Sequence, residues 1–107
     1  MMDEYILKDG VPVKEPDIMK WAMWFENSNS DRRVAKTELD NDVTVSTVFL
    51  AIDHSFMGGP PLLYETMVFE GELDGEMERY STLEEAQCGH DAMVKRVKDA
   101  NRACDIG

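Results

Sequence analysis

Two extended runs flank a glycine and proline break, and their spacing decides what this chain can fold into. Residues 43–53 alternate, with Thr44, Ser46, Val48, Leu50 and Ile52 on one face and Val43, Val45, Thr47, Phe49, Ala51 and Asp53 on the other. Apolar groups on both faces and a wealth of Val, Thr and Phe mark the run as a central strand. Residues 62–70 resume the alternation after Gly58-Gly59-Pro60-Pro61. Only residues 54–61 separate the two runs, too few for a parallel crossover, so the pair is expected to be antiparallel.

The remaining segments extend this pair into an α+β domain. Residues 4–8 read as a short strand, and Asp9-Gly10 accepts the positive φ values of a type I′ turn, returning Val11 and Val13 as an edge strand around Pro12. From Pro16, expected as the first helical residue, Ile18, Trp21, Ala22 and Phe25 recur at helical spacing, and Asn27-Ser28-Asn29-Ser30 ends the helix. Residues 32–39 read as a strand turned by Asp40-Asn41-Asp42, and residues 77–80 as another short strand. Ser81 with Glu84, or Thr82 with Glu85, has the capping-box spacing that starts a second helix. The stripe of that helix is Leu83, Ala86, His90, Met93, Val97 and Ala100, with Gly89 leaving room for close contact with the sheet. The expected architecture is one domain over residues 1–107, an antiparallel sheet of about four to five strands with two helices packed on one face.

Composition excludes several function classes. The chain has 22 Asp and Glu against 11 Lys and Arg, a net charge of −11, so direct nucleic-acid binding, which depends on clustered cations, is disfavoured. An acidic field attracts basic partners, which leaves occupation of a basic site on another protein open beside plain solubility. No apolar run reaches the length that crosses a bilayer, and the start, Met1-Met2-Asp3-Glu4, is acidic where a secretory signal is basic, which gives the expectation of a cytoplasmic protein. Cys88 and Cys104 fall in one expected helix, about 24 Å apart along its axis, too far for a disulfide. The tail after Cys104 is expected to fray.

The densest chemistry lies at residues 53–61, Asp53-His54-Ser55-Phe56-Met57-Gly58-Gly59-Pro60-Pro61. If Ala51 pairs opposite Glu65, then Asp53 and Glu65 become diagonal neighbours, and with His54 and His90 they form a candidate ligand site able to hold a metal or exchange protons. In the structural reading, Asp53 and His54 instead bond the loop backbone, and His90 pairs with a polar group of the sheet. Arg32 and Arg33 form a tight basic pair, suited to an anionic group, with Asp31 and Glu38 as expected surface ion partners. Trp21 and Trp24 would mark a partner interface or dimer seam if exposed. No spacing supports a phosphate loop, a nucleophilic triad, a structural zinc site or any cofactor.

Arg32-Arg33-Val34-Ala35-Lys36-Thr37, Val45-Ser46-Thr47-Val48-Phe49-Leu50, Asp53-His54, Gly58-Gly59-Pro60-Pro61 and Glu65-Thr66-Met67-Val68-Phe69 together resemble a family of short proteins carried by bacteriophages and prophages. Arg79-Tyr80-Ser81-Thr82, Glu84-Glu85-Ala86 and Gly89-His90 extend the likeness, which spans roughly residues 31–95. The resemblance implies a phage-encoded accessory product working in bacterial cytoplasm, and it supplies no catalytic residues. The expected function is therefore non-catalytic: contact with a host or phage protein, with homodimerisation among the expected states and a basic site on a host component as one target. The rival expectation is a small metal- or ligand-binding enzyme using Asp53, His54, Glu65 and His90.

Overall fold

A computed structural model describes residues 3–55 and 58–106, with side chains to residue 100. Phe56, Met57 and the Cys104 side chain lie outside the described residues. The order is β1 (Tyr5–Lys8), β2 (Val11–Lys14), α1 (Ile18–Glu26), α2 (Asn29–Arg32), β3 (Arg33–Glu38), β4 (Thr44–Phe49), β5 (Tyr64–Phe69), β6 (Met77–Tyr80) and α3 (Leu83–Ile106). The fold is α+β, as expected. Strands β3-β4-β5-β6 form one antiparallel sheet in chain order, β1 and β2 form a separate hairpin, and α3 packs on the four-stranded sheet. Asp9 and Gly10 both have positive φ, 52° and 80°, as a type I′ turn requires.

Alternation along β4 determines which side is sealed. Val45, Thr47 and Phe49 are buried beneath α3, while Thr44, Ser46 and Val48 face the other way and stay partly open. Val43, Val45 and Val68 meet Met93 and Val97 of α3 in one apolar cluster. Tyr5, Phe49, Ala51, Leu63, Tyr64 and Ala86 form a second, closed by Trp21, Trp24 and Phe25 of α1. Burial of such side chains supplies on the order of 2 kcal/mol each.

Several boundaries differ from expectation for local physical reasons. Pro16 lies outside α1: Asp17 is its N-cap, accepting the N–H groups of Met19 and Lys20 at 3.0 and 3.3 Å. The packed face of α1 is Trp21, Trp24, Phe25 and the following Ser28, so Ile18, Met19 and Met23 are left exposed. The large indoles outcompete the aliphatic stripe for the cavity beside Phe49, where Trp24 packs edge-on at 6.1 Å between ring centroids. Arg32 ends the short helix α2, so β3 begins one residue later than expected.

The central run is interrupted before Asp53. Ala51 takes a left-handed φ of 66°, which turns the chain out of β4 and toward the N-terminal hairpin. There Ile52 bridges Glu4, the Tyr5 N–H donates to the Ala51 carbonyl at 2.7 Å, and Trp21 Nε1 donates to the carbonyls of Tyr5 and Ala51 at 3.1 Å each. The turn between β4 and β5 also changes the register: Val48 faces Glu65 and Phe49 faces Tyr64, where Ala51 opposite Glu65 was expected.

At the other end of the chain, the capping box belongs to Thr82 and Glu85. The Glu85 N–H donates to Thr82 Oγ1 at 3.1 Å and Glu85 Oε1 accepts the Thr82 N–H at 3.1 Å. Helix α3 continues to Ile106, beyond the expected fraying point, and carries both cysteines on one rod; Cys88 is free and exposed. Gly89 lies against the Tyr80 ring so closely that a Cβ there would overlap its Cζ and hydroxyl. Gly89→Ala is therefore expected to lower the unfolding free energy by about 1–3 kcal/mol, although alanine gains about 1 kcal/mol in helix propensity. A denaturant titration that finds the variant more stable than the parent would contradict this packing.

Candidate functional site

The structure brings Asp53 and His54 together and sends Glu65 and His90 elsewhere. Asp53 accepts the N–H groups of Ser55 at 2.8 Å and Leu62 at 2.9 Å, tying the two sides of the connection together, and the His54 N–H donates to the Leu62 carbonyl at 3.1 Å. Burial works to raise the Asp53 pKa, but the backbone donors of Ser55 and Leu62, the Ser55 side chain and the nearby His54 together hold it below the ordinary carboxylate value. Asp53 thus acts as the clasp of the β4–β5 connection, as the structural reading proposed.

Glu65 lies on the sheet face away from α3, directly opposite Arg79 in the β5–β6 register, and accepts from Arg79 Nε at 3.1 Å. His90 lies on the other side of the same sheet, 3% exposed. Its Nε2 is 2.8 Å from Thr37 Oγ1 and its Nδ1 2.8 Å from Thr47 Oγ1, which in turn bonds Thr66 Oγ1. Each of β3, β4 and β5 thereby contributes one hydroxyl to a single network centred on a helix side chain. A neutral imidazole has one donor and one acceptor nitrogen, and hydroxyls accommodate either tautomer, so both nitrogens are satisfied and the one acceptor lone pair is already engaged. Burial pushes the His90 pKa down, with Asp91 opposing weakly. Among the described residues no group of three or more His, Cys, Asp or Glu side chains is placed to hold a metal ion.

Trp21 and Trp24 pack against the core, partly buried, and leave Ile18, Met19 and Met23 as the exposed large apolar groups of α1. Arg32 and Arg33 do not find the expected Asp31 and Glu38. Arg32 is held by neutral groups, its Nε donating to Ser28 Oγ at 3.0 Å, one Nη to Asn29 Oδ1, and the guanidinium lying 3.8 Å from the centre of the Phe25 ring. Glu38 pairs with Lys36 at 3.4 Å. Arg33 is exposed and makes no ion pair with a described residue.

These cations border a cleft of about 550 Å³ on the uncovered sheet face, lined by Asn29, Arg32, Arg33, Lys36, Thr44, Ser46, Val48 and Phe69. The sequence reading found only the two arginines of this set. Thr44, Ser46 and Val48 alternate along β4 onto the face that α3 does not cover, and the period-two pattern of the strand is the signal that groups them. No helix among the described residues is long and apolar enough to cross a membrane. Comparison with protein-family models, with curated proteins and with solved structures gave no match.

Two outcomes follow from the polar groups. Unfolding exposes His90, which then takes up a proton near its ordinary pKa of about 6.5, whereas the buried ring resists protonation until lower pH. Stability is expected to fall as the pH is lowered from 7 toward 5. His90→Gln is expected to be less stable than the parent at pH 7 but flatter over that interval, and equal slopes for the two proteins in chemical denaturation would rule out His90 as the cause. Asp53→Asn, which weakens both charged hydrogen bonds, is expected to cost about 1–2 kcal/mol and to speed amide exchange at Ser55 and Leu62.

Proposed function

We propose that this chain is a non-catalytic phage accessory protein that acts in bacterial cytoplasm by binding another protein, with a basic site on a host component as its target. The observation that carries this reading is a concentration of carboxylates at one end of the sheet. Because β4 runs antiparallel to both β3 and β5, the β3–β4 and β5–β6 turns emerge at the same end. One brings Glu38, Asp40 and Asp42, the other Glu70, Glu72, Asp74, Glu76 and Glu78. Among the described ion pairs, only Lys36–Glu38 and Arg96–Glu76 neutralise members of this group.

Exposed carboxylates along two adjacent turns resemble a short polyanion in charge, which suits a basic surface. The resemblance to phage-encoded proteins supplies the setting, and the dispersal of Asp53, His54, Glu65 and His90 leaves the rival enzyme reading without a shared geometry.

The test compares two baits in bacterial lysate: the parent protein and a variant carrying Asp40→Asn, Asp42→Asn, Glu72→Gln and Glu78→Gln. A specific partner is expected on the parent bait at low salt, with recovery falling as ionic strength rises and at least tenfold lower on the variant. Equal recovery on both baits, or no partner at any ionic strength, would refute the proposal.

A further inference from the structure

We infer that the uncovered face of the four-stranded sheet carries a binding site for a small amphipathic anion, a phosphate attached to a planar body such as a nucleobase. This site adjoins the carboxylate-rich end, where Lys36 pairs with Glu38 at 3.4 Å, but does not depend on the function proposed for that end. Its lining combines three cationic side chains, Arg32, Arg33 and Lys36, with two hydroxyls, Thr44 and Ser46, and contains no carboxylate, Glu38 reaching Lys36 from outside it. Arg32 and Arg33 have no carboxylate partner among the described residues, in a chain with twice as many acids as bases.

The strand register gives the site its layout. Arg33 faces Val48 and Lys36 faces Ser46 across the β3–β4 pair, while Thr44 faces Phe69 across β4 and β5. The cations therefore lie along the β3 side, the hydroxyls of β4 form the floor, and Phe69, 47% exposed, forms the apolar side. α2 contributes Arg32 and Asn29 at one end. Arg32 is fixed in place by Ser28, Asn29 and the Phe25 ring without a carboxylate, so its charge is oriented but uncompensated.

An anionic head over Arg33 and Lys36 gains charge-assisted hydrogen bonds, and hydroxyls of the ligand meet Thr44 and Ser46. A planar body then covers Phe69 and Val48, apolar surface that the fold leaves in water. A bare inorganic anion would satisfy only the first of these, and a neutral aromatic only the last. The cleft volume of about 550 Å³ lies within the range of small-molecule sites, about 300–1,000 Å³.

Adenosine 5′-monophosphate, adenosine and inorganic phosphate, each titrated into the isotopically labelled protein at low salt, test the inference. The nucleotide is expected to shift the amides of Arg33, Lys36, Ser46, Val48 and Phe69, and to bind at least tenfold more tightly than either fragment. Arg33→Glu combined with Lys36→Glu should weaken it at least tenfold, Phe69→Ser several-fold, and Lys36→Arg little; all three positions are solvent-accessible, and an unchanged amide spectrum elsewhere verifies folding. Absence of binding, shifts confined to other residues, affinity matched by adenosine or by phosphate, or affinity unchanged in the charge-reversed variant would each overturn the site.

Discussion

The seat of α3 on the sheet depends on His90, whose two ring nitrogens reach the hydroxyls of β3 and β4 at once. Apolar packing by Met93, Val97 and Ala86 supplies most of the attraction but tolerates sliding and rotation, since it has no direction. A hydrogen-bonded imidazole does not. Moving the helix by one residue would bury unpaired nitrogen and oxygen atoms, at about 1–3 kcal/mol for each. The Gly89–Tyr80 contact one residue earlier adds a steric stop, so the polar and apolar halves of the interface agree on a single placement. With that placement one sheet face is sealed, and everything proposed for the other follows from its being left open.

The kink at Ala51 does for the N-terminal segment what His90 does for α3. A non-glycine residue in the left-handed region costs about 1–2 kcal/mol, and here the cost is offset by donors converging on the Ala51 carbonyl from Tyr5 and Trp21. The hairpin, α1 and the end of β4 are thereby joined around Phe49 and Tyr64, and Asp53 clasps the chain just beyond. Trp21 and Trp24 are held by this junction, which is why aromatic groups that looked available for a partner are consumed by the fold.

Some of this was legible in the residues and some was not. The Asp9-Gly10 turn, the antiparallel central pair, the Thr82 and Glu85 box and the close approach at Gly89 each depend on a few neighbouring residues whose stereochemistry leaves little choice. The β4–β5 register was not legible, because a connection as long as residues 50–63 imposes no turn type that would fix the pairing. Ala51 gave no local sign of a left-handed conformation, since its reason lies in donors from distant parts of the chain. In α1, Met19, Met23, Trp24 and Ile18 surround the helix with apolar groups, so periodicity alone could not choose the buried face. The candidate quartet failed with the register: once Glu65 stands opposite Arg79, an opposite-charge pair on the outer face is the simpler use of both.

Charge placement carries the last step. In a chain of net charge −11, a cation left to itself has carboxylates in abundance within reach, and Asp31 and Glu38 adjoin Arg32 and Arg33 in sequence or on the same strand. The fold nevertheless gives Arg32 only neutral acceptors and an aromatic face, and leaves Arg33 without an acid among the described residues, while Glu38 goes to Lys36 and Glu65 to Arg79 farther across the sheet. Holding like charges together on an open surface gains nothing for stability and loses a few tenths of a kcal/mol per pair to repulsion. Local choices that oppose stability without structural return tend to coincide with binding surfaces. The carboxylate-rich turns and the cation-lined cleft adjoin on the same sheet, meeting at the Lys36–Glu38 pair, and their opposite signs mean that each would repel what the other attracts. Two ligands of opposite charge, one met at the turns and one on the open face, fit that polarity better than a single partner of one sign spread over both.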